Sequence, residues 1–141
     1  MFRKIVATLV LAVVLVLPAN ASAGVKFTKI QYDSPGTDTG SSSSLNAEWV
    51  KIKNTGKKAV NLKGWKLSDT ASHVYTFGSL KLKAGKTVTV HTGSGSDSKK
   101  RVYQDSGAYI WNNDGDTAKL KKGNKLKDKC TWGDGGGTVN C

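Results

Sequence analysis

Glu48-Trp49-Val50-Lys51-Ile52-Lys53-Asn54-Thr55-Gly56, followed after three residues by Val60-Asn61-Leu62-Lys63-Gly64-Trp65-Lys66-Leu67-Ser68-Asp69, decides how this chain reads. Side chains alternate across an extended strand, so Glu48, Val50 and Ile52 fall on one face and Trp49, Lys51 and Lys53 on the other. Asn54-Thr55-Gly56 then supplies a tight turn, with Gly56 free to take a positive φ. The whole stretch reads as strand, turn, strand, second turn, strand.

The same alternation recurs on both sides of it. Val88 and Val90 alternate with Thr87, Thr89 and His91, and Leu80 and Leu82 alternate with Lys81 and Lys83. No segment after the N-terminal apolar run sustains the 3.6-residue period of a helix. The expected strands are Val25–Tyr32, Ala47–Lys53, Ala59–Leu62, Trp65–Ser68, Val74–Phe77, Leu80–Lys83, Thr87–Thr92, Tyr109–Trp111, Thr117–Lys121 and Leu126–Trp132. Turns at Ala84-Gly85-Lys86 and Asn113-Asp114-Gly115 separate several of them. Short strands punctuated in this way predict an all-β sandwich or barrel. The expected core is Phe27, Ile30, Val50, Ile52, Leu62, Trp65, Leu67, Phe77, Leu82, Val88, Val90, Leu120 and Trp132. Ser34 to Leu45 and Thr92 to Arg101 read as flexible loops, the second basic through Lys99-Lys100-Arg101, and Gly133 to Gly137 reads as a floppy tail.

The ends indicate export. Arg3 and Lys4 precede an apolar run from Ile5 to Leu17, closed by Pro18, and Ala21-Ser22-Ala23 fits signal peptidase. Thirteen residues at ~1.5 Å each span roughly 20 Å, short of the ~30 Å hydrocarbon core, so cleavage after Ala23 is expected rather than a retained anchor. That leaves one secreted domain, Gly24 to Cys141, of 118 residues from the 141. Losing Arg3 and Lys4 takes the 22 basic residues to 20 against 10 acidic ones, a net charge of +10. Glu48 is the only Glu, a composition poor in helix surface residues. Cys130 and Cys141 are the only cysteines. In an exported chain they most simply form one disulfide. A free pair or a metal site are the alternatives, and the lack of a nearby His or further Cys argues against zinc.

In order, Glu48 to Gly56, Leu62 to Asp69, Tyr75-Thr76-Phe77, Leu82-Lys83-Ala84-Gly85, His91-Thr92-Gly93 and Trp111 to Leu120 resemble the motifs of the lamin tail domain family. The resemblance spans nearly all of the chain after residue 23. It implies an immunoglobulin-like β-sandwich of about eight to ten short strands, with Val50, Ile52, Trp65 and Leu67 as its core signature. It also implies a non-catalytic structural or interaction module. Where the family often carries an acidic residue, this chain has Lys51, so negative surface is exchanged for positive.

The residues support that absence of catalysis. His73 and His91 have no motif joining them to a nucleophile, there is no Gly-x-Ser-x-Gly elbow, and no paired carboxylates with a base stand out. Two other chemistries remain. Asp33, Asp38, Asn46 and Glu48 bracket the Ser-rich loop and could offer Ca²⁺ the hard oxygen ligands it needs, which would make Ca²⁺ a stabilising cofactor. Asn112, Asn113, Asp114 and Asp116 form a second oxygen-rich turn, although Asn-Asp-Gly is also ordinary hairpin chemistry. The second chemistry is basic. Lys51 with Lys53, Lys81 with Lys83, Lys119 with Lys121, and Lys127 with Lys129 each share a strand face. With Lys99, Lys100 and Arg101 they would make a continuous positive face for anionic cell-wall polymer or extracellular nucleic acid, with exposed Trp49 and Trp111 adding stacking. Arg101 is the only Arg after residue 23, which disfavours bidentate base or phosphate readout. Alternatively the Lys residues only keep the strands soluble, and the domain is structural or binds a protein partner.

Overall fold

The computed structural model of the chain describes residues 23–141, so the expected signal segment lies, Ala23 apart, outside the described residues. Among the described residues no helix is long and apolar enough to cross a membrane. In chain order the elements are β1 (Val25–Gln31), α1 (Ser42–Asn46), β2 (Trp49–Asn54), β3 (Val60–Asn61), β4 (Lys66–Ser68), β5 (Val74–Thr76), β6 (Lys81–Leu82), β7 (Thr87–His91), β8 (Arg101–Tyr103), β9 (Asp116–Lys122), β10 (Lys125–Trp132) and β11 (Thr138–Asn140). They form a five-stranded sheet, β11-β1-β2-β7-β8, a four-stranded sheet, β10-β9-β4-β5, and a small β3-β6 pair. The fold is an all-β, immunoglobulin-like sandwich. Every pairing is antiparallel except β7 with β8, which is parallel.

Alternation decides what the sandwich buries. Val50 and Ile52 of β2 stand opposite Val90 and Val88 of β7, and all four are inaccessible to solvent. Leu67 of β4 pairs with Leu120 of β9 in the other sheet. Trp65, Leu62, Leu82 and Phe77 join both layers into one apolar cluster. Every core residue expected from the sequence is buried. The sheets are also tied by polar contacts of long sequence reach. Phe27 N, where β1 bulges, donates to Asp128 Oδ2 at 2.8 Å across 101 positions. Cys130 of β10 and Cys141, just after β11, form a disulfide.

Four local expectations are corrected. Tyr109–Trp111 is not a strand, because the Ile110 and Trp111 N–H groups are drawn to the Glu48 carboxylate instead of a ladder. One of two strands beyond the expected set is β8, at the end of the basic segment expected to be mobile; the other is β11. Buried Val102 anchors β8, and Ser98 Oγ accepts from Lys100 N and Arg101 N to set the turn before it. The Ser-rich loop holds a single helical turn, α1. Ser41 caps it by accepting from Ser44 N at 3.3 Å, and Leu45 is buried beneath it. The glycine tail is pinned: Gly135, Gly136 and Gly137 take positive φ, Tyr32 N and Asp33 N donate to Gly137 O, and β11 then pairs with β1.

Candidate functional site

The outer face of the five-stranded sheet concentrates positive charge by register. Lys29 stands directly opposite Lys51, and Lys26 opposite Lys53, between β1 and β2. Lys51 then pairs with Thr89 on β7, and Thr89 with Arg101 on β8. Like charges directly opposed across a ladder are destabilising, so this face carries its charge at the expense of stability.

Beside it β6 and the segments flanking β7 rise to form a groove of about 730 Å³. Lys51 and Lys53 come from β2, Lys81, Lys83 and Lys86 from β6 and its turn, and Lys99, Lys100 and Arg101 from the run into β8. Thr28, Leu82, Thr87 and Thr89 supply the remaining wall. No lining residue is acidic. Among the described residues the only Lys, Arg or His within 4.0 Å of a carboxylate is His73, whose Nδ1 lies 2.6 Å from Asp69 Oδ2. The groove cations are therefore unneutralised by the protein itself, and their potentials add in a concave space.

The structure thus gathers Lys51, Lys53, Lys81, Lys83, Lys99, Lys100 and Arg101 into one place. It does not bring Lys119 and Lys121 there. Both lie on β9 in the four-stranded sheet, opposite Lys129 or Ser68 and Lys66. The single continuous face expected from alternation is two faces on two sheets. Lys86 also belongs to the groove, and in the sequence only its place beside the Gly85 turn points to that. Of the two tryptophans expected to be exposed, Trp111 is only 3 % accessible and packs edge-on against Trp132. Trp49 is half-buried under the Lys51 ammonium, 4.8 Å from its ring centre.

A second recess opens beside the groove, about 470 Å³, lined by Tyr75, Phe77, Ser79, Leu80, Asp97 and Val102 together with Lys81 and Lys99, which it shares with the groove. Tyr75 meets Phe77 edge-to-face with centroids 4.9 Å apart. Burial, then the nearby Asp97 and Asp105 carboxylates, push the Tyr75 phenol up to about 12, so it stays neutral. Asp97 accepts from Tyr103 N through Oδ1 at 3.0 Å.

The carboxylates collect elsewhere. Asp33, Asp38 and Glu48 line a recess of about 340 Å³ with Asn112, Asn113 and Asp114, so the two oxygen-rich segments read from the sequence do meet. Asn46 does not join them, since its Nδ2 donates to Ser94 O at 2.8 Å and its side chain abuts Gly93. Asp116 is committed to Thr70, Thr117 and Asn112 N–H and hydroxyl donors. Glu48 is 1 % accessible, and its Oε1 accepts from Thr92 Oγ1 at 2.6 Å, Ile110 N at 2.9 Å and Trp111 N at 3.4 Å. Burial outweighs those three donors and raises the carboxyl from 4.5 to about 7. Among the described residues no group of three or more His, Cys, Asp or Glu is placed to hold a metal ion. His73 is tied to Asp69, and His91 donates from Nδ1 to Asn46 O at 2.7 Å while stacking on Tyr103. Both histidines serve the local fold.

A comparison with protein-family models finds the Lamin Tail Domain model matching residues 18–134. No curated protein matches the chain.

Proposed function

The chain belongs to the lamin tail domain family, and from that premise we propose that it is an exported, non-catalytic binding module that captures anionic extracellular polymers in the Lys-rich groove. The family is one of non-enzymatic, immunoglobulin-like interaction domains, which supplies the coarse role. The observation that carries the finer one is the groove itself: eight cations from three separate segments line one concavity without a single carboxylate. Seven of the eight are Lys, compact point charges suited to diffuse attraction rather than to bidentate recognition. Attraction of this kind follows the charge spacing of the polymer and releases its counterions, so it falls steeply with salt.

The test is a salt series with the protein purified from the medium, where export places it with Gly24 first. Binding to immobilised polyanion at ~50 mM salt, lost by a few hundred millimolar, is expected. No binding at the lowest salt would leave the charge as a solubility device and sink the proposal. Protein kept inside the cells with Met1 still present, and none in the medium, would remove export from it.

A further inference from the structure

The groove and the aromatic recess share Lys81 and Lys99, so one polymer strand can lie in both at once. We infer that the polymer is an acidic glycan in which neutral sugar rings separate the acidic ones: acidic groups bind in the Lys groove, and a neutral ring enters the recess against Tyr75 with its hydroxyls on Asp97. This rests on the groove being the binding site.

The chemistry of the recess separates ligand classes that the groove alone treats alike. A pyranose presents an apolar C–H face, which an aromatic ring can cover, and hydroxyls at its edge, which a carboxylate accepts from. Tyr75 and Asp97 supply that pair. Asp97 keeps Oδ1 on Tyr103 N, which fixes the carboxylate and leaves Oδ2 for an incoming hydroxyl. A phosphate polymer finds there only Lys81 and Lys99, which the groove already supplies, and no use for the ring. Each of its repeats is charged, and Asp97 repels it. The same repulsion weighs against nucleic acid, whose bases suit the ring but whose backbone phosphates would pass the carboxylate. A small polar set in a partly apolar hollow is the usual construction of a specificity pocket.

Hyaluronan, linear polyphosphate and oligothymidylate distinguish the outcomes at one low salt concentration, with melting temperature confirming that each variant folds. Asp97→Asn preserves the Tyr103 contact and removes the charge. It is expected to weaken hyaluronan binding roughly tenfold, since it dilutes a charge-assisted hydrogen bond, and to tighten polyphosphate binding about twofold by relieving repulsion. Tyr75→Ala should weaken hyaluronan roughly tenfold, the scale of one lost stacking contact, and leave polyphosphate unchanged. If Asp97→Asn tightens both polymers alike, the recess takes no sugar and this inference fails while the groove stands. If oligothymidylate is bound best and Tyr75→Ala weakens it, the ligand is nucleic acid and the glycan assignment is overturned. If none of the three binds wild type, the groove proposal itself falls.

Discussion

Glu48 shows how one side chain holds three pieces of chain. It begins the β2 face that carries Val50 and Ile52, yet its carboxylate takes Thr92 from the end of β7 and two backbone donors from the connection before β9. The alternation of the sequence placed it on the inward face with the two apolar residues. It could not show that the inward face at that point meets N–H groups instead of methyls, because those donors arrive from more than sixty positions away. That is also why Tyr109–Trp111 reads as a strand and is not one. Burial lifts the folded-state value from 4.5 to about 7. The folded protein therefore holds this proton more tightly than the unfolded chain. The resulting stability is fully present below about 4.5 and is lost as pH rises through about 7. The loss is on the order of 3 kcal/mol at most. Glu48→Gln keeps an acceptor for the three donors and cannot ionise. The melting temperature of wild type should fall relative to that variant between pH 5 and 8, and parallel curves would remove the ionisation from the account.

At the scale of elements, legibility followed the length of the apolar pattern. β2, β7 and β9 each alternate over five residues or more, and β1 alternates on either side of its bulge, so their cores are readable. β8 and β11 have three residues each, with Val102 and Val139 as their only aliphatic side chains, so no period could reveal them. β11 follows a run of glycines, and beyond its pairing with β1 it is held covalently: Cys141 joins Cys130 on β10, while Cys141 N donates to Thr28 O at the β1 bulge. Closing a loop of 11 positions contributes about 3 kcal/mol in the chain-entropy account. Cys141→Ser should lower the melting temperature and release the β11 amides to fast hydrogen exchange, with β2 and β7 amides still protected. Full protection of β11 in that variant would mean that pairing with β1 suffices without the bond.

Over the whole molecule the charge is divided between two sheets. Lys51 and Lys119 look alike in sequence, each on a strand position alternating with buried residues. Only non-local pairing sends one to the groove and the other to the opposite layer. That difference is measurable. Lys51→Glu with Lys83→Glu should weaken polyanion binding by tenfold or more at low salt and flatten its salt dependence. Lys119→Glu with Lys121→Glu makes the same change in net charge and should weaken binding no more than about threefold, through long-range attraction alone. Equal losses from both pairs would show that total charge, and not the groove, governs capture.

The contact between Phe27 and Asp128 joins positions 101 apart, and Gln31 reaches Gly137 over 106. β1 thus leaves the ribosome about 5–20 s before the strands that cover its outer edge and brace its bulge, at ordinary rates of synthesis. Folds closed by such distant pairings form slowly. The five-stranded sheet therefore cannot be completed until the last residues have been made, and β1 keeps one edge unpaired until then.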